Sequence, residues 1–293
     1  MYNFRNYYEA KTIDEAIFKL SENPDLKIVA GGTDILIKMH GGKLEKIDLL
    51  SIHNIASLKN IKKLEDGTIN IGPLATFSQI ANDPLIAKSI PVLAEASLSM
   101  GGPQIRNVAT IGGNICNGAT SADSASTLFA LNAKLKLKSL KDERIIPIEE
   151  FYLGPGKVDL RPSEMLVAIL IDQKDYKGYS GKYIKFSMRN AMDIATLGVS
   201  VLCKVKDNLM EDLRIGLGVA APTPIRCHEA EEYARNKEVT TETIKEIGKL
   251  AVKPTKARTS WRASKEYREH LVEELTGRAL KSAILRAGGV EIA

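Results

Sequence analysis

Two short stretches with paired glycines constrain this chain more than any other feature of its sequence. The first is Lys27-Ile28-Val29-Ala30-Gly31-Gly32-Thr33-Asp34, and the second is Ala109-Thr110-Ile111-Gly112-Gly113-Asn114. Each is predicted to be an apolar strand that runs into a glycine turn with a hydroxyl residue nearby. Glycine tolerates positive φ at such a turn, and its missing side chain lets backbone N–H groups approach a ligand closely. Successive N–H groups favour anions, so the two stretches together predict a clamp for the phosphates of a nucleotide cofactor.

The paired glycines also have a plainer interpretation, because such pairs are ordinary turn residues. Neither stretch contains the G-x-G-x-x-G pattern of Rossmann dinucleotide-binding units, and the Gly-Lys-Ser/Thr of a P-loop is absent. A nucleotide bound here would therefore be held in a different way from either of those folds.

Composition and charge exclude several classes of function. The net charge of +5 over 293 residues is mild and is not gathered into Lys/Arg blocks, which argues against a nucleic-acid partner. Cys116, Cys203 and Cys227 lie far apart and outside any C-x-x-C, so this chain is expected to hold no iron–sulfur cluster alone, and a reducing compartment is favoured. The first residues lack the apolar core of a signal peptide, and no apolar run is long enough to span a bilayer. We therefore expect a cytoplasmic protein without membrane contact.

The hydrophobic pattern predicts two domains and an α+β fold class. Residues 1–176 alternate short strands with amphipathic helices, in subdomains of about 1–55 and 56–176, and residues 151–157 are predicted as a loop. The polar, glycine-bearing segment 172–181 is the predicted boundary. Residues 177–293 form the second domain, an antiparallel sheet followed by helices. Its strands are expected at 182–189, 195–206 and 213–220, and its helices at 241–252 and 265–286, with Gly288-Gly289 as the final stop.

Few side chains stand out as candidates for chemistry. Asp123 lies in a loop of small residues just after the second glycine stretch, where its carboxylate can either bond a ribose or adenine or cap the next helix. Arg106 is predicted to tie loops together rather than to face a diphosphate. Cys227-His228-Glu229 has metal-ligand residue types without their spacing, so a solvated helix start is expected and no metal site is predicted. No hydrolytic motif is present, and a bound cofactor would therefore have to carry any reaction.

Longer segments of the sequence resemble a known family. Both glycine stretches, the segment Gln104-Ile105-Arg106-Asn107-Val108 that leads into the second one, and Gly154-Pro155-Gly156-Lys157 resemble the FAD-binding subunits of molybdenum hydroxylases. Three further segments are similar to the FAD subunit of bacterial three-subunit xanthine dehydrogenases: NGATSADSA at 117–125, GVAAPTPIRC at 218–227 and WRASKE at 261–266. The resemblance covers essentially the whole chain.

The resemblance implies the fold of the vanillyl-alcohol-oxidase and cresol-methylhydroxylase (PCMH) flavoproteins. In that fold two N-terminal α/β parts hold FAD between them, and here a C-terminal α+β domain of the CO dehydrogenase flavoprotein type would follow. Both glycine stretches would wrap the diphosphate and ribityl chain of FAD, with Thr110 offering its hydroxyl. Asp123 would hydrogen-bond the cofactor.

The same resemblance assigns the remaining cofactor contacts. Met165 or Leu166 would line the adenine end of FAD, and Ile184 and Lys185 would lie by the isoalloxazine ring. Met100 stands where relatives often carry an aromatic residue near the flavin. A thioether also packs well on a ring face, so Met100 is expected to contribute to the site.

The resemblance also implies a place in an electron-transfer chain. A large subunit with the molybdenum cofactor would oxidise a purine and pass electrons singly through [2Fe–2S] clusters on a small subunit. FAD on this chain would collect two electrons and deliver a hydride to NAD⁺, with Lys185 as the catalytic residue that stabilises the reduced, anionic flavin. Three alternatives remain open: the same architecture serving nicotinate or carbon monoxide, a scaffold subunit without active flavin, and a self-contained flavin reductase of the same fold.

Overall fold

The computed structural model describes residues 2–288, which are organised around three hydrophobic cores. The first core lies under a parallel three-stranded sheet of order β1–β3–β2. Its elements are β1 (Phe4–Glu9), α1 (Ile13–Glu22), β2 (Lys27–Val29), α2 (Ile35–His40) and β3 (Ile47–Ser51). Helix α1 begins after Thr12, whose hydroxyl accepts a hydrogen bond from the N–H of Glu15 at 3.1 Å, in agreement with its capping sequence.

The second core lies under an antiparallel five-stranded sheet of order β4–β5–β10–β6–β7, which is covered by short helices. The five strands of this sheet are β4 (Ile61–Lys63), β5 (Ile69–Ile71), β6 (Lys134–Lys138), β7 (Glu143–Pro147) and β10 (Met165–Ile171). Two further strands, β8 (Tyr152–Gly154) and β9 (Lys157–Val158), form a separate two-stranded sheet. Its helices are α3 (Phe77–Asn82), α4 (Pro84–Ser89), α5 (Pro91–Leu98), α6 (Pro103–Arg106), α7 (Ile111–Cys116), α8 (Ala125–Ala130) and α9 (Ile148–Phe151). Strands β8 and β9 pair as a small hairpin, so the prediction of a plain loop at 151–157 was wrong.

The second glycine stretch is helical, which corrects the prediction of a strand that runs into a turn. Thr110 is the N-cap of α7, and its hydroxyl accepts a hydrogen bond from the N–H of Gly113 at 3.2 Å. Thr110 favours a helix here in spite of the apolar residues that suggested a strand, because the helix both forms the capping bond and buries Ile111. Gly112 and Gly113 therefore lie in the first turn of a helix.

The third core lies between an antiparallel sheet of order β11–β12–β13–β14 and three helices. The antiparallel sheet was predicted, whereas its fourth strand was not. The strands are β11 (Ser180–Phe186), β12 (Leu197–Lys206), β13 (Leu209–Gly218) and β14 (Ile225–Arg226), and the helices are α10 (His228–Ala234), α11 (Thr241–Val252) and α12 (Lys265–Arg286). The predicted bounds of α11 and α12 are confirmed. Gly288 follows α12 with φ +82, as a helix stop requires, whereas Gly289 lies outside the described residues.

The third sheet packs directly on the second core. Helix α8 crosses β13 so closely that a Cβ at Gly216 would lie 2.0 Å from the carbonyl oxygen of Ser126. The far end of α12 is tied to the same core, since Arg286 donates to the carbonyl of Gly181 at 2.8 Å and pairs with Glu95 of α5 at 2.5 Å. In the described part of the chain, no helix combines the length and the apolar character needed to cross a bilayer.

Candidate functional site

A cavity of about 980 Å³ lies between the first and second cores, and the loop after β11 also lines it. One side of the cavity is formed by the first glycine stretch, by α2 and by the loop between β5 and α3. The segment around α6 and α7, strand β10 and the loop after β11 form the rest of the wall. This volume is at the upper end of the range of about 300–1,000 Å³ that is usual for small-molecule sites, so a ligand as large as a dinucleotide is compatible with it.

The two glycine stretches lie against each other at this cavity. A Cβ at Gly31 would lie 1.9 Å from the carbonyl oxygen of Val108 and 3.1 Å from the Cα of Ala109, so only glycine allows the approach. Gly32 has φ +76, which glycine adopts without strain. The two segments, far apart in sequence, therefore meet at the cavity wall.

The first glycine stretch presents free backbone donors. Within residues 2–288, the N–H groups from Gly31 to Asp34 donate to no protein acceptor, and all four residues line the cavity. Consecutive unpaired N–H groups form a concave surface that suits an anion such as a phosphate. This wall of the cavity has the donor chemistry that a diphosphate needs.

The second glycine stretch differs from the predicted clamp, because its N–H groups are already engaged. The N–H of Ile111 donates to Ala75 at 3.0 Å, that of Gly112 donates to Pro73 at 2.9 Å, and that of Gly113 donates to Thr110. The second glycine stretch therefore offers the cavity a backbone surface without side chains, and not a set of free donors. A Cβ at Gly113 would meet only the Oγ1 of Thr110, at 3.0 Å, so this glycine leaves its side of the cavity open.

Most of the predicted site residues line the cavity. They are Lys27, Ile28, Ala30, Gly31, Gly32, Thr33, Asp34, Met100, Ala109, Thr110, Gly112, Gly113, Asn114, Asp123, Met165 and Leu166. Four others do not line it. Val29 belongs to β2, Ile111 is buried in the second core, Ile184 packs against the third core, and Lys185 lies behind the cavity wall.

Asp123 and Lys185 form a buried ion pair at the edge of the cavity. The Nζ of Lys185 lies 2.9 Å from one oxygen of Asp123, and both side chains are less than 10% exposed, at 9% and 6%. The hydroxyl of Tyr183 donates to the other oxygen at 3.3 Å, and Lys185 also donates to the carbonyl of Ser99 at 3.1 Å. Burial raises the pKa of Asp123 above its ordinary value, against the opposing effect of the Lys185 charge.

One of the two interpretations of Asp123 is excluded by the structure. Helix α8 starts after Ser124 without a side-chain cap, so the capping role was wrong. The carboxylate is instead a fixed polar group in the cavity wall, and Lys185, which does not line the cavity, is bonded to it. Arg106 donates to the carbonyl of Met100 at 3.0 Å, which confirms its predicted role of tying loops together.

The loop at residues 187–195 contributes residues that sequence reasoning missed. Met192, Asp193 and Ile194 line the cavity, and the N–H of Met192 donates to the carbonyl of Gly101 at 3.3 Å. Met192 has φ +55, which is uncommon for a residue other than glycine. The predicted strand at 182–189 extended into this loop, whereas β11 ends at Phe186. The prediction therefore did not show that a loop begins there.

The wall formed by β10 is held by a second buried ion pair. Arg144 makes two hydrogen bonds of 2.7 Å to the carboxylate of Glu164, and it bonds Asp159 at 2.6 Å. Burial alone would raise the pKa of Glu164, but the hydrogen bonds and charge of Arg144, with the N–H of Arg161, lower it below its ordinary value. Glu164 directly precedes Met165, so the pair fixes this part of the cavity.

The segment Cys227-His228-Glu229 does not line the cavity. Cys227 is fully buried, and burial raises the pKa of its thiol. His228 starts α10 and lies 3.2 Å from Glu149 and 3.3 Å from Glu231. Across residues 2–288, no three His, Cys, Asp or Glu side chains are grouped as metal ligands.

The chain belongs to the family of FAD-binding subunits of molybdenum hydroxylases. Residues 2–173 match the family model for the FAD binding domain in molybdopterin dehydrogenase, and residues 182–283 match that of the CO dehydrogenase flavoprotein C-terminal domain. The cavity fits this class, since free N–H groups, backbone without side chains at the glycines, and a fixed carboxylate line the same cavity.

Particular relatives show how far the similarity extends. The chain is 43% identical to the xanthine dehydrogenase FAD-binding subunit of Escherichia coli O157:H7 over 99% of both chains. It is 28% identical to the carbon monoxide dehydrogenase medium chain of Hydrogenophaga pseudoflava, covering 96% of this chain and 97% of that one. Among solved structures, carbon monoxide dehydrogenase from the same organism matches with a TM-score of 0.93 at 27% identity, covering 98% and 99% of the two chains. The predicted fold class is thereby confirmed.

Proposed function

We propose that this chain is the FAD-binding electron-transfer subunit of a xanthine dehydrogenase. A small subunit with [2Fe–2S] clusters and a large subunit with the molybdenum cofactor would be its partners, and NAD⁺ would be the final acceptor. One observation carries the proposal: four free N–H groups at Gly31–Asp34 lie in the same cavity as the bare helix surface at Gly113. The 43% identity to a xanthine dehydrogenase FAD-binding subunit supports the substrate class.

The residues that would hold FAD follow from the chemistry of each wall. The N–H groups from Gly31 to Asp34 would donate to the diphosphate, and the open surface at Gly113 would let it approach. Thr110 and Asn114 would add polar contacts along the ribityl chain. When bound, FAD supplies the exchange between single-electron and two-electron transfer.

The remaining walls would orient the two ends of the cofactor and exclude water. Met165 and Leu166 offer apolar surface to the adenine end, and Met100 offers a polarisable thioether to the ring. Asp123 would accept a hydrogen bond from the cofactor. Lys185 would act from behind this wall, because its ammonium group fixes both Asp123 and the carbonyl next to Met100.

Two further parts of the proposal concern the whole chain. A division into domains at 1–176 and 177–293 is supported by the separate core of the C-terminal sheet and its helices. A cytoplasmic location is supported by three cysteines that are all free thiols.

The test is to purify the assembled complex and to measure FAD, iron and molybdenum together. We expect one FAD for each copy of this chain, and NAD⁺ reduction with hypoxanthine or xanthine. A complex without flavin would refute the electron-transfer role and would favour the scaffold alternative. A flavin-loaded complex that ignores purines but oxidises another substrate would refute only the substrate class.

A related substrate is the second candidate. The chain is 31% identical to the nicotinate dehydrogenase FAD-subunit of Eubacterium barkeri, over 81% of this chain and 82% of that one. Assays with nicotinate beside the purines separate the two candidates, because the same flavin would be reduced only by the true substrate of the complex.

A further inference from the structure

An arginine cluster lies at the start of α12, outside the cavity. We define it as Arg258, Arg262 and Arg268 together with Trp261. Arg268 is 2% exposed, and its guanidinium donates to three neutral oxygens: the carbonyls of Arg258 and Thr196 and the hydroxyl of Ser260. Trp261 is 74% exposed, and the guanidinium of Arg262 lies over its ring, 4.1 Å from the centroid.

The positive charge of this cluster is not compensated. Among residues 2–288, no carboxylate pairs with any of the three arginines, and the nearby Glu269 pairs with Lys265 instead. Burial lowers the pKa of Arg268, and the charges of Arg258 and Arg262 lower it further. The Nε of Arg262 is buried without a hydrogen-bond partner. A buried cation without a counter-ion is costly, so the arrangement suits an anion that is supplied from outside the chain.

Two short links connect the arginine cluster to the cavity. Arg268 bonds the carbonyl of Thr196, which lies two residues after Ile194 of the cavity wall, a separation of at most about 7 Å along the chain. On the other side, the N–H of Lys256 donates to Ala220 at 3.0 Å, and that of Val219 donates to Thr120 at 3.1 Å. Thr120 lies between two cavity-lining residues. The cluster is therefore only a few bonded residues from the cavity wall on two sides.

We propose that the arginine cluster binds the adenosine-phosphate half of a dinucleotide electron acceptor. Arg258 and Arg262 would bond its phosphates, and the free face of Trp261 would stack on its adenine. This inference rests on the proposed function, because it takes the redox cofactor to lie in the cavity and the acceptor to meet it there.

The residue types favour a nucleotide over an acidic segment of a partner protein. Guanidinium groups match phosphate in geometry as well as in charge, and they form paired hydrogen bonds to it. A tryptophan ring with one open face is a stacking surface for any base. An acidic peptide would use the arginines but would leave the function of the exposed ring unexplained.

Trp261 is the only tryptophan of the chain, so its fluorescence reports on this site directly. The probe is ADP-ribose, which carries the adenosine and both phosphates but no nicotinamide, titrated into the full chain without its partner subunits. We expect a saturable change in Trp261 fluorescence. The double variant R258Q/R262Q should bind ADP-ribose about tenfold more weakly or worse, because it loses charge-assisted bonds to phosphate. The matched control R235Q/R278Q removes two exposed arginines elsewhere and should bind normally.

Kinetic measurements on the complex provide the second readout. R258Q/R262Q should raise the KM for NADH, with little effect on reduced nicotinamide mononucleotide, on kcat or on flavin content. Equal binding of ADP-ribose by both double variants would overturn the proposal. An equal fluorescence response to inorganic phosphate would also overturn it. If R258Q/R262Q instead fails to join its partner subunits while ADP-ribose has no effect, the cluster is a protein docking surface. A complex whose flavin is present but does not react with NAD(H) would refute the acceptor site alone and leave the flavin assignment intact.

Discussion

Replacing Gly113 with alanine separates flavin binding from folding. Gly113 is the third residue of α7, and its new Cβ would meet only the Oγ1 of Thr110, at 3.0 Å. Alanine is favoured over glycine inside a helix by about 1 kcal/mol, and the tight contact with Thr110 offsets part of that gain. The free energy of unfolding of the apoprotein should therefore stay the same or rise by up to about 1 kcal/mol, which is about 2–4 °C in Tm.

The same methyl group should weaken flavin binding. It would occupy the bare surface that the cofactor approaches, and overpacking of a close-fitting site costs about 1–3 kcal/mol. The expected rise in the Kd for FAD is about 5- to 150-fold. The assays are thermal unfolding of the apoprotein and a fluorescence titration with FAD.

Gly112→Ala is the matched control. A Cβ there would lie 2.4 Å from the Cβ of Pro73 and 2.7 Å from its carbonyl oxygen, so α7 would be pushed off its support. We expect this variant to lose stability as well as flavin. If Gly113→Ala keeps the wild-type Kd, the cofactor does not pass this surface, and the assignment of the cavity wall is wrong.

Three more predictions concern buried ion pairs, and each is checked by urea unfolding followed by circular dichroism. Lys185→Met should lower the free energy of unfolding by about 3–5 kcal/mol, because Asp123 is left buried and unpaired. Adding Asp123→Asn should restore most of that loss. A Lys185→Met variant with wild-type stability would contradict this. The lowered pKa of Glu164 contributes stability that is complete above its ordinary value of 4.5 and is lost as the pH falls through the folded value, so Glu164→Gln should flatten the acid limb of the stability curve; an unchanged limb would exclude this group. Arg226→Met should cost about 3–5 kcal/mol by stranding the carboxylate of Glu231, which it bonds at 2.7 Å, and equal stability would show that this carboxylate finds another partner.

The features that were predicted correctly are those that local sequence determines. Helices 241–252 and 265–286 have clear periodicity and a Thr or Ser at the N-cap, so even their bounds could be read. The first glycine stretch was also predictable, because a strand followed by Gly31-Gly32 leaves few backbone conformations. The second glycine stretch was predicted wrongly, because a threonine such as Thr110 is common both in strands and at helix N-caps. The contact of this stretch with the segment at Pro73–Thr76, which is distant in sequence, fixes it as a helix.

Long-range pairing could not be predicted. Asp123 and Lys185 are 62 residues apart, and nothing in either local sequence shows that the lysine is bonded to the carboxylate. The loop at 187–195 has no periodic pattern, so its place against Gly101 depends on how the third sheet docks on the second core. Strands of two or three residues such as β8 and β9 are too short for a period to show.

The position of the cavity between the first two cores has a consequence for how the protein unfolds. A ligand held there contacts residues of separate hydrophobic cores. Its loss therefore weakens the contacts between those cores more than the packing within any one of them. At a hundredfold excess over its Kd, such a ligand adds about 2.7 kcal/mol to the stability of the whole assembly of units. Emptied of its cofactor, the chain should melt in stages that calorimetry resolves, and the loaded chain should melt as a single body.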